Sequence, residues 1–382
     1  MHFAFNLRGI SSVMSPSEAP EERFREIYRK IHAIFSKDRF TIRSLRGMPG
    51  LAGEPSGIMH NFDTDDWTLS NRARLAESIA DTDILILNTG GEDYTGLRGF
   101  LSRQGFRGIT CLWLHDNHVA HSANHQTVLE ADVYFCSHHG AQHEDYLLNP
   151  VSLSAPVLPA CYRNLPLDTV CGLMTRYADL PRLSRVVAPY FLYKHFKRTA
   201  LLETLRCECP ELVAFFTDEN DRKEKYYDSI TDAEKASRWL FFKSSIVVPL
   251  HEDLSIRLFD GLIWGHTVLV PDPLPAFDHV FAADEAARLG IVRYDAAQGA
   301  AGVSKAAREA ISLFDRDGQE GLWHRHGHVM ANHLLGHRMK ALLSFLSDFA
   351  AGHTVNEIVS IRIDDGVRHG MRSRRPDGRP LL

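Results

Sequence analysis

The sequence predicts an α/β protein built from two successive Rossmann-like halves, each a parallel sheet with crossover helices. Three observations support this class. The chain has 382 residues, which is long for one hydrophobic core and comfortable for two domains. Residues 83–88 and 109–114 are nearly continuous apolar runs, as expected of strands buried on both faces. Strand-length and helix-length segments also alternate twice along the chain, before and after a stretch containing four prolines at 149–166.

The proline-containing stretch marks the predicted domain boundary. It separates a first domain of residues 1–165 from a second domain of residues 166–350. A C-terminal segment, 351–382, follows. From about residue 366 this segment holds five arginines and two prolines in 17 residues, a composition expected of a mobile tail.

In the first domain, apolar residues recur with strand or helix spacing in alternating segments. In chain order these predict a strand at 2–7, a helix at 21–35, strands at 40–44 and 83–88, a helix at 97–104, a strand at 109–114, a helix at 124–131, a strand at 132–137 and a helix at 142–147. Strands joined by crossover helices pair in parallel, so a Rossmann-like sheet is expected.

The second domain repeats the alternation. The predicted elements are a strand at 185–191, a helix at 196–206, a strand at 212–216, a helix at 231–243, a strand at 245–250, a helix-length segment that stops at Gly265, a strand at 266–270 and helices at 304–315 and about 330–349. In an open parallel sheet, ligands bind at the carboxyl ends of the strands, so the polar turns after these strands are the first places to look for a site.

Composition excludes several classes of protein. A net charge of −5 gives no support for a nucleic-acid partner, because such proteins carry a basic surface. No apolar run approaches the 18 residues of a membrane span, and the N-terminal residues lack a basic segment and a cleavage site. Six scattered cysteines are typical of reduced thiols. We therefore expect a cytoplasmic protein.

The most informative segment runs from His251 to Pro271. It follows an apolar strand, carries Glu252 and Asp260 eight positions apart, stops at Gly265 and enters a second apolar strand. If the helix reaches back to Glu252, the two acids lie two turns apart on one helix face. Two acids at the ends of an ordinary surface helix are the simpler alternative.

This acid-x7-acid pattern resembles the donor-site motif of retaining family 4 glycosyltransferases of the GT-B fold. The second acid is Asp rather than Glu, and the Gly-rich turn is replaced. The spelling SIRLFD, from Ser255 to Asp260, is closer to the spore-maturation-type branch of that group. The resemblance implies a GT-B architecture, in which two Rossmann-like domains face each other across a cleft.

The same resemblance implies a function and a set of donor contacts. The expected activity is a metal-independent, hexosyltransferase-type transfer of a sugar from a nucleotide-sugar, with retention of configuration, to a glycan, a lipid-linked glycan or a protein. No cofactor is expected beyond the nucleotide-sugar donor. Asp260 would take the ribose hydroxyls, with Glu252 and Ser255 also in the donor site. Arg257 would contact phosphate, or pair with Glu252 or Asp253.

A basic helix start follows the first strand of the second domain. Lys194, Lys197 and Arg198 lie where a helix begins, and a diphosphate needs both cations and free backbone N–H groups. In the resembling glycosyltransferases this loop carries a cation against the donor diphosphate, and Arg198 matches it best. The alternative is a solvated basic helix start.

The first domain offers a second motif where its strand 109–114 ends in His115 and Asp116. The resembling family has a strand ending in His-Asp here, which implies that His115 contacts the transferred sugar and Asp116 orients the loop or the acceptor. The alternative is a capped strand end, because Asp and Asn favour turns and helix N-caps.

Other interpretations remain open at this point. His121 and His125 have the spacing of a zinc-binding helix, but no Glu lies between them, so no metal site is predicted. The imperfect donor motif leaves two rival functions: a non-catalytic GT-B-like protein that binds a nucleotide or glycan, and a sugar-nucleotide epimerase. A peripheral membrane contact through the arginine-rich tail is a further interpretation.

Overall fold

The structure is a computed structural model of the chain. It describes the following residues: 20–45, 57–62, 76–77, 79–89, 94–117, 121–140, 144–192, 196–218, 230–363 and 366–381. The predicted strand at 2–7 lies outside these ranges. None of the described helices is both long enough and apolar enough to cross a membrane.

Two compact units divide the chain. One comprises residues 1–160 and 335–382, and the other comprises residues 161–334. Each contains a sheet with parallel strands, so the predicted class, α/β with two Rossmann-like domains, is confirmed. The division differs from the boundaries 1–165, 166–350 and 351–382 expected from sequence, because the chain returns to the first unit after residue 334.

The first unit opens with alternating helices and strands. Up to residue 160 its elements are α1 (Pro20–Phe35), β1 (Phe40–Leu45), β2 (Gly57–Phe62), β3 (Ile84–Thr89), α2 (Leu97–Arg103), β4 (Ile109–Leu114), α3 (His121–Val128), β5 (Val133–Cys136) and β6 (Leu153–Ser154). Single 3₁₀ turns lie at Ile79–Asp81 and Asp145–Leu147, the second of them where a helix was predicted at 142–147.

The second unit repeats this alternation. Its elements are α4 (Leu167–Tyr177), β7 (Leu183–Leu192), α5 (Phe196–Glu208), β8 (Leu212–Asp218), α6 (Asp232–Leu240), β9 (Phe242–Ile246), α7 (Arg257–Ile263), β10 (Thr267–Asp272), α8 (Pro275–Asp278), α9 (Ala283–Arg288), β11 (Ile291–Asp295) and α10 (Gly299–Asn332). Its strands follow the order β11-β10-β9-β7-β8, and all pairs are parallel. Helix α10 is interrupted at Gly318, whose φ of 55° is left-handed.

Three further elements complete the first unit: α11 (Leu335–Ala350), β12 (Val355–Ile363) and β13 (Gly366–Arg374). Strand β13 pairs in parallel with β6 and antiparallel with β12, giving the sheet order β12-β13-β6-β5-β4-β3-β1-β2. The segment from residue 366, expected to be a mobile tail, is therefore a strand of the sheet. A Cβ at Gly370 would lie 2.6 Å from the Asn149 carbonyl oxygen, so glycine permits this close backbone approach.

Each unit has its own hydrophobic core. In the first, Leu85 and Leu112 of neighbouring strands pack in the same buried cluster as Leu97 and Leu101 of α2. In the second, the cluster joins the strands to α5 through Leu202 and to α10 through small residues such as Ala307. Burial of this apolar surface is what fixes the carboxyl ends of the strands, and the helices that follow them, in place.

Candidate functional site

In the second unit, the carboxyl ends of β7 and β9 lie at one edge of a parallel sheet. Helix α5 begins four residues after β7, and α7 begins at Arg257, after the turn that follows β9. The described part of the first turn of α5 carries Lys197 and Arg198 and no acidic residue. A helix N-terminus bears partial positive charge, so two cations there are unfavourable without an anion nearby.

Arg198 lies against an aromatic ring. Its guanidinium carbon is 4.7 Å from the ring centroid of Tyr190, and the residue is only 9% exposed. The Tyr190 hydroxyl donates to the Ile246 carbonyl and accepts from the Val248 N–H, both at 2.8 Å. Tyr190 therefore links the start of α5 to the segment after β9. Burial raises the pKa of Tyr190 to about 12, although Arg198 acts in the opposite direction.

Asp260 is fully buried and binds Arg257. The Arg257 Nη1 donates to Asp260 Oδ2 at 2.7 Å, one helical turn away, and the Arg257 side chain is 14% exposed. The other carboxylate oxygen, Oδ1, is buried and has no hydrogen-bond partner among the described residues. Burial raises the pKa of Asp260, and the Arg257 guanidinium offsets part of that rise. The outer group of this pair is the arginine, not the carboxylate assigned to ribose from sequence.

The acids Glu252 and Asp260 do not share a helix. Helix α7 starts only at Arg257, and Glu252 lies in the preceding turn with a left-handed φ of 60°. Glu252 is exposed, whereas Asp253 is buried and accepts from the Leu250 N–H through Oδ1. Ser255 accepts from the Arg257 N–H at 3.3 Å. The eight-residue spacing thus reflects a tight turn followed by a short helix, because Asp253 closes the turn.

The structure brings together four of the seven donor-site residues predicted from sequence. Arg198 lies over the Tyr190 ring, and Arg257 lines a small cavity together with Tyr190. Asp260 binds the Arg257 side chain, and Ser255 accepts from the Arg257 N–H. Lys197 is exposed on α5, whereas Lys194 lies outside the described residues.

Sequence reasoning missed several residues beside Arg257. They line a small cavity with it, and the main ones are Tyr190, Lys235, Arg238 and Trp239. The cavity volume is about 20 Å³, enough for one water molecule, so the cavity is not itself a nucleotide pocket. The sequence signal for these residues is the predicted helix at 231–243, which carries Lys235, Arg238 and Trp239 within about one turn.

In the first unit, His115 follows β4 and is 8% exposed. Its ring centroid lies 4.0 Å from that of Trp113, two residues earlier on the same strand face. The Trp113 indole N–H donates to the Leu158 carbonyl at 2.8 Å, which fixes the ring. Asp116 is half-buried, and its carbonyl accepts from the Asn124 side chain at 3.0 Å.

Asn117 organises the loops at this strand edge, although sequence reasoning did not select it. Its Oδ1 accepts from the N–H groups of Ser137 and His138 at 3.0 and 2.9 Å, and its Nδ2 donates to the His138 carbonyl at 3.1 Å. The His138 Nε2 donates to the His115 carbonyl at 2.9 Å. A fully buried amide thus ties the loop after β4 to the loop after β5. The only sequence signal for this role is the residue type, an Asn in the turn three residues after a buried strand.

Comparison with known proteins gives structural neighbours only. No protein-family model and no curated protein matches the chain. Among solved structures, a GtfA/B complex aligns with 70% of this chain at 14% identity and a TM-score of 0.39, and the chain spans 57% of that protein. The spinosyn rhamnosyltransferase SpnG aligns with 85% of this chain and 81% of its own length, at 12% identity and a TM-score of 0.34.

A third neighbour is sucrose-phosphate synthase from Thermosynechococcus elongatus, which aligns over 82% of this chain and 100% of its own length. The identity is 14% and the TM-score is 0.44. At TM-scores below 0.5, the assignment of two Rossmann-like units rests on the chain's own sheet topology and not on these alignments.

Proposed function

We propose that the protein is a glycosyltransferase of GT-B type, which moves a sugar from a nucleotide-sugar to a glycan, lipid-linked or protein acceptor. The second unit would hold the donor at the carboxyl edge of its sheet. The observation that carries the proposal is the placement of two arginines beside Tyr190 at that edge: Arg198 lies over the Tyr190 ring, and Arg257 lines the same small cavity as Tyr190. Parallel sheets bind ligands there, and the start of α5 adds backbone N–H groups.

The cationic edge would bind the donor diphosphate. Guanidinium groups bind phosphate oxygens through paired N–H donors, and a helix N-terminus adds its dipole. During transfer the glycosidic bond breaks and negative charge builds up on the diphosphate. Arg198, assisted by Lys197 and Lys194, would stabilise that charge without a metal ion.

Buried Asp260 would act as a positioning residue for Arg257. A carboxylate that is itself fully buried is a poor first contact for a ribose, whereas its partner Arg257 reaches the surface. Glu252, exposed in the turn before α7, and Ser255, bound to the Arg257 N–H, would complete the donor site.

His115 and Asp116 would act on the sugar and the acceptor from the first unit. The Asn117 network holds the His115 backbone and the imidazole lies against the Trp113 ring, so the imidazole would keep one orientation during transfer. Retention of configuration belongs to the same proposal, since it is a property of the glycosyltransferases that the motif at 252–260 resembles.

Binding of nucleoside diphosphates tests the donor site directly. We expect a nucleoside diphosphate, for example of uridine or guanosine, to bind at least about tenfold more tightly than its nucleoside, because the phosphates supply most of the charge. Arg198→Gln should remove this difference, and Arg198→Lys should keep part of it. Arg206→Gln, an equal charge change on the exposed last turn of the same helix, should leave it intact.

A wild-type protein that binds nucleosides and nucleoside diphosphates equally would leave no phosphate site at this edge. An equal loss in Arg206→Gln would assign the effect to overall charge. Either result would contradict the proposed donor site.

A further inference from the structure

The first unit contains a second polar cavity, which neither the donor site nor the His115 region uses. Its volume is about 250 Å³. The charged side chains that line it are His139, Glu144, Asp145, Arg372, Arg374 and Arg379. The cavity is therefore large enough to hold a small molecule and not just a single water, and its lining is rich in ionisable groups.

The fold places this cavity at the carboxyl edge of the first sheet. Strand β13 runs parallel to β6, with Arg372 in register with Ser154, and Ser154 is in register with Tyr134 of β5. The carboxyl end of β13 therefore lies at the same edge as the ends of β5 and β6. Because ligands bind outside the carboxyl ends of parallel strands, adding β13 extends the ligand-binding edge of this sheet.

The charges around the cavity are unequally neutralised. Arg372 Nη2 donates to Asp145 Oδ1 at 2.5 Å, and His139 Nδ1 lies 3.0 Å from Glu144 Oε1. Arg374 pairs with Glu357, which does not line the cavity. These pairs account for every carboxylate that lines the cavity.

Arg379 is the remaining charged residue of the lining. It is exposed, and no ion pair of its side chain occurs within the part of the chain that the structure describes. Ser373, also in the lining, has a buried hydroxyl with no hydrogen-bond partner among the described residues. The lining thus offers a surplus of positive charge and an unused polar group.

We propose that this cavity binds a small anionic ligand, whose phosphate or carboxylate group is held by Arg379, with Arg374, which keeps its pair with Glu357, also in the lining. A guanidinium group can bind either anion through two parallel N–H donors, which a lysine would not match. The inner pairs, Arg372 with Asp145 and His139 with Glu144, form the polar wall. The proposal does not depend on transferase activity, because every residue in it belongs to the first unit.

Calorimetric titration of the full chain with inorganic phosphate and, separately, with malonate tests the site. Sodium chloride at equal ionic strength is the reference. We expect saturable one-to-one binding of at least one of the two anions, and their relative affinity identifies the ligand as a phosphate or a carboxylate. Arg379→Gln should weaken this binding by roughly threefold to tenfold, the effect of one charge-assisted contact.

Arg362→Gln is the matched control. Arg362 is exposed on β12, the strand that pairs with β13, and it does not line the cavity. Its substitution changes the charge of the protein by the same amount. Its anion binding should equal that of the wild type. Absence of saturable binding of both anions, or equal weakening by both substitutions, would overturn the proposal. Since Arg379 is exposed, an unchanged melting temperature in Arg379→Gln shows that the loss is not one of folding.

Discussion

At the residue scale, the pair Arg257–Asp260 decides how the donor motif is interpreted. The resemblance of the sequence motif implies that Asp260 takes the ribose hydroxyls, which requires a carboxylate that a ligand can reach. The structure buries it completely against Arg257. The spacing of the acids could not show whether Asp260 is accessible or buried, because its burial depends on the strands and helices that cover α7.

Asp260→Ala should therefore destabilise the protein as well as weaken diphosphate binding. The substitution leaves Arg257 without its carboxylate and opens space beside it, which should lower the free energy of unfolding by about 1–3 kcal/mol. Asp260→Asn keeps an acceptor oxygen and should cost less. Urea unfolding measures both variants, and an Ala variant as stable as the wild type would contradict the buried-pair interpretation.

Gly261, next in the chain, tests the packing under α7. A Cβ there would lie 2.2 Å from Ser245 Oγ and 3.0 Å from a Val268 methyl group. Gly261→Ala should cost about 1–3 kcal/mol in unfolding free energy through overpacking. Ser245→Ala removes a buried hydroxyl with no hydrogen-bond partner in the described structure, so it should restore much of that loss in the double variant.

Urea unfolding of the wild type, the two single variants and the double variant gives the four unfolding free energies of a double-mutant cycle. If the changes in unfolding free energy of Gly261→Ala and Ser245→Ala are additive in the double variant, there is no steric clash between the two side chains in solution.

At the element scale, most strands and helices were predictable because their apolar periodicity is strong. Strand β4 matches its predicted range, 109–114, and α1 begins one residue before its predicted start. Strand β13 was missed, since the segment 366–382 holds five arginines and two prolines, a composition that indicates a solvated tail. Its Met371 and Ser373 are nonetheless fully buried, and Arg372 between them pairs with Asp145. The alternation of buried and outward-facing side chains along 371–373 is typical of a strand, but the arginine-rich composition favoured the prediction of a tail.

Removing residues 366–382 should therefore lower stability, contrary to the expectation from sequence. The deletion removes β13, so β6 loses a neighbour on one side and the edge strand β12 loses the strand with which it pairs in the described sheet. We expect a fall in melting temperature of at least about 5 °C, which corresponds to roughly 2 kcal/mol in a domain of this size.

A shorter deletion that begins after Arg375 keeps β13 and is the control. It removes only two buried described residues, Pro380 and Leu381, so its effect should be clearly smaller. Equal melting temperatures for both deletions and the full chain would contradict the placement of β13 in the sheet.

At the scale of the whole molecule, the two-fold alternation of strands and helices was sufficient to predict two Rossmann-like domains. The path of the chain was not predictable. After residue 334 the chain returns to the first unit, and Arg338 donates from α11 to the carbonyls of Pro159 and Ala160. Sequence patterns predict a domain boundary between consecutive segments, so they do not reveal contacts between positions nearly 180 residues apart.

Buried histidines predict how stability depends on pH. Burial lowers the pKa values of His266, His326 and His328 below their ordinary value of 6.5. A lowered histidine pKa means that the unfolded chain takes up the proton first, so stability is lost as pH falls below about 6.5. His139 and Asp260, whose pKa values are raised, oppose this trend.

We expect the free energy of unfolding to fall by roughly 1–3 kcal/mol between about pH 7.5 and pH 5.5, since one proton is worth about 1.4 kcal/mol per pH unit. His266→Gln removes the most buried of these groups and should flatten the dependence. Stability that rises on acidification over this range would show that the groups with raised pKa values dominate.

Release of nucleoside diphosphate from a nucleotide-sugar measures directly whether the second unit breaks the glycosidic bond of a bound donor. The purified chain is incubated with a panel of nucleotide-sugars, with and without EDTA, and compared with Arg198→Gln. We expect slow release from at least one donor, undiminished by EDTA and reduced about 10²-fold in Arg198→Gln. Binding of donors without release, or recovery of a C2-inverted sugar in place of free diphosphate, would contradict the proposed function.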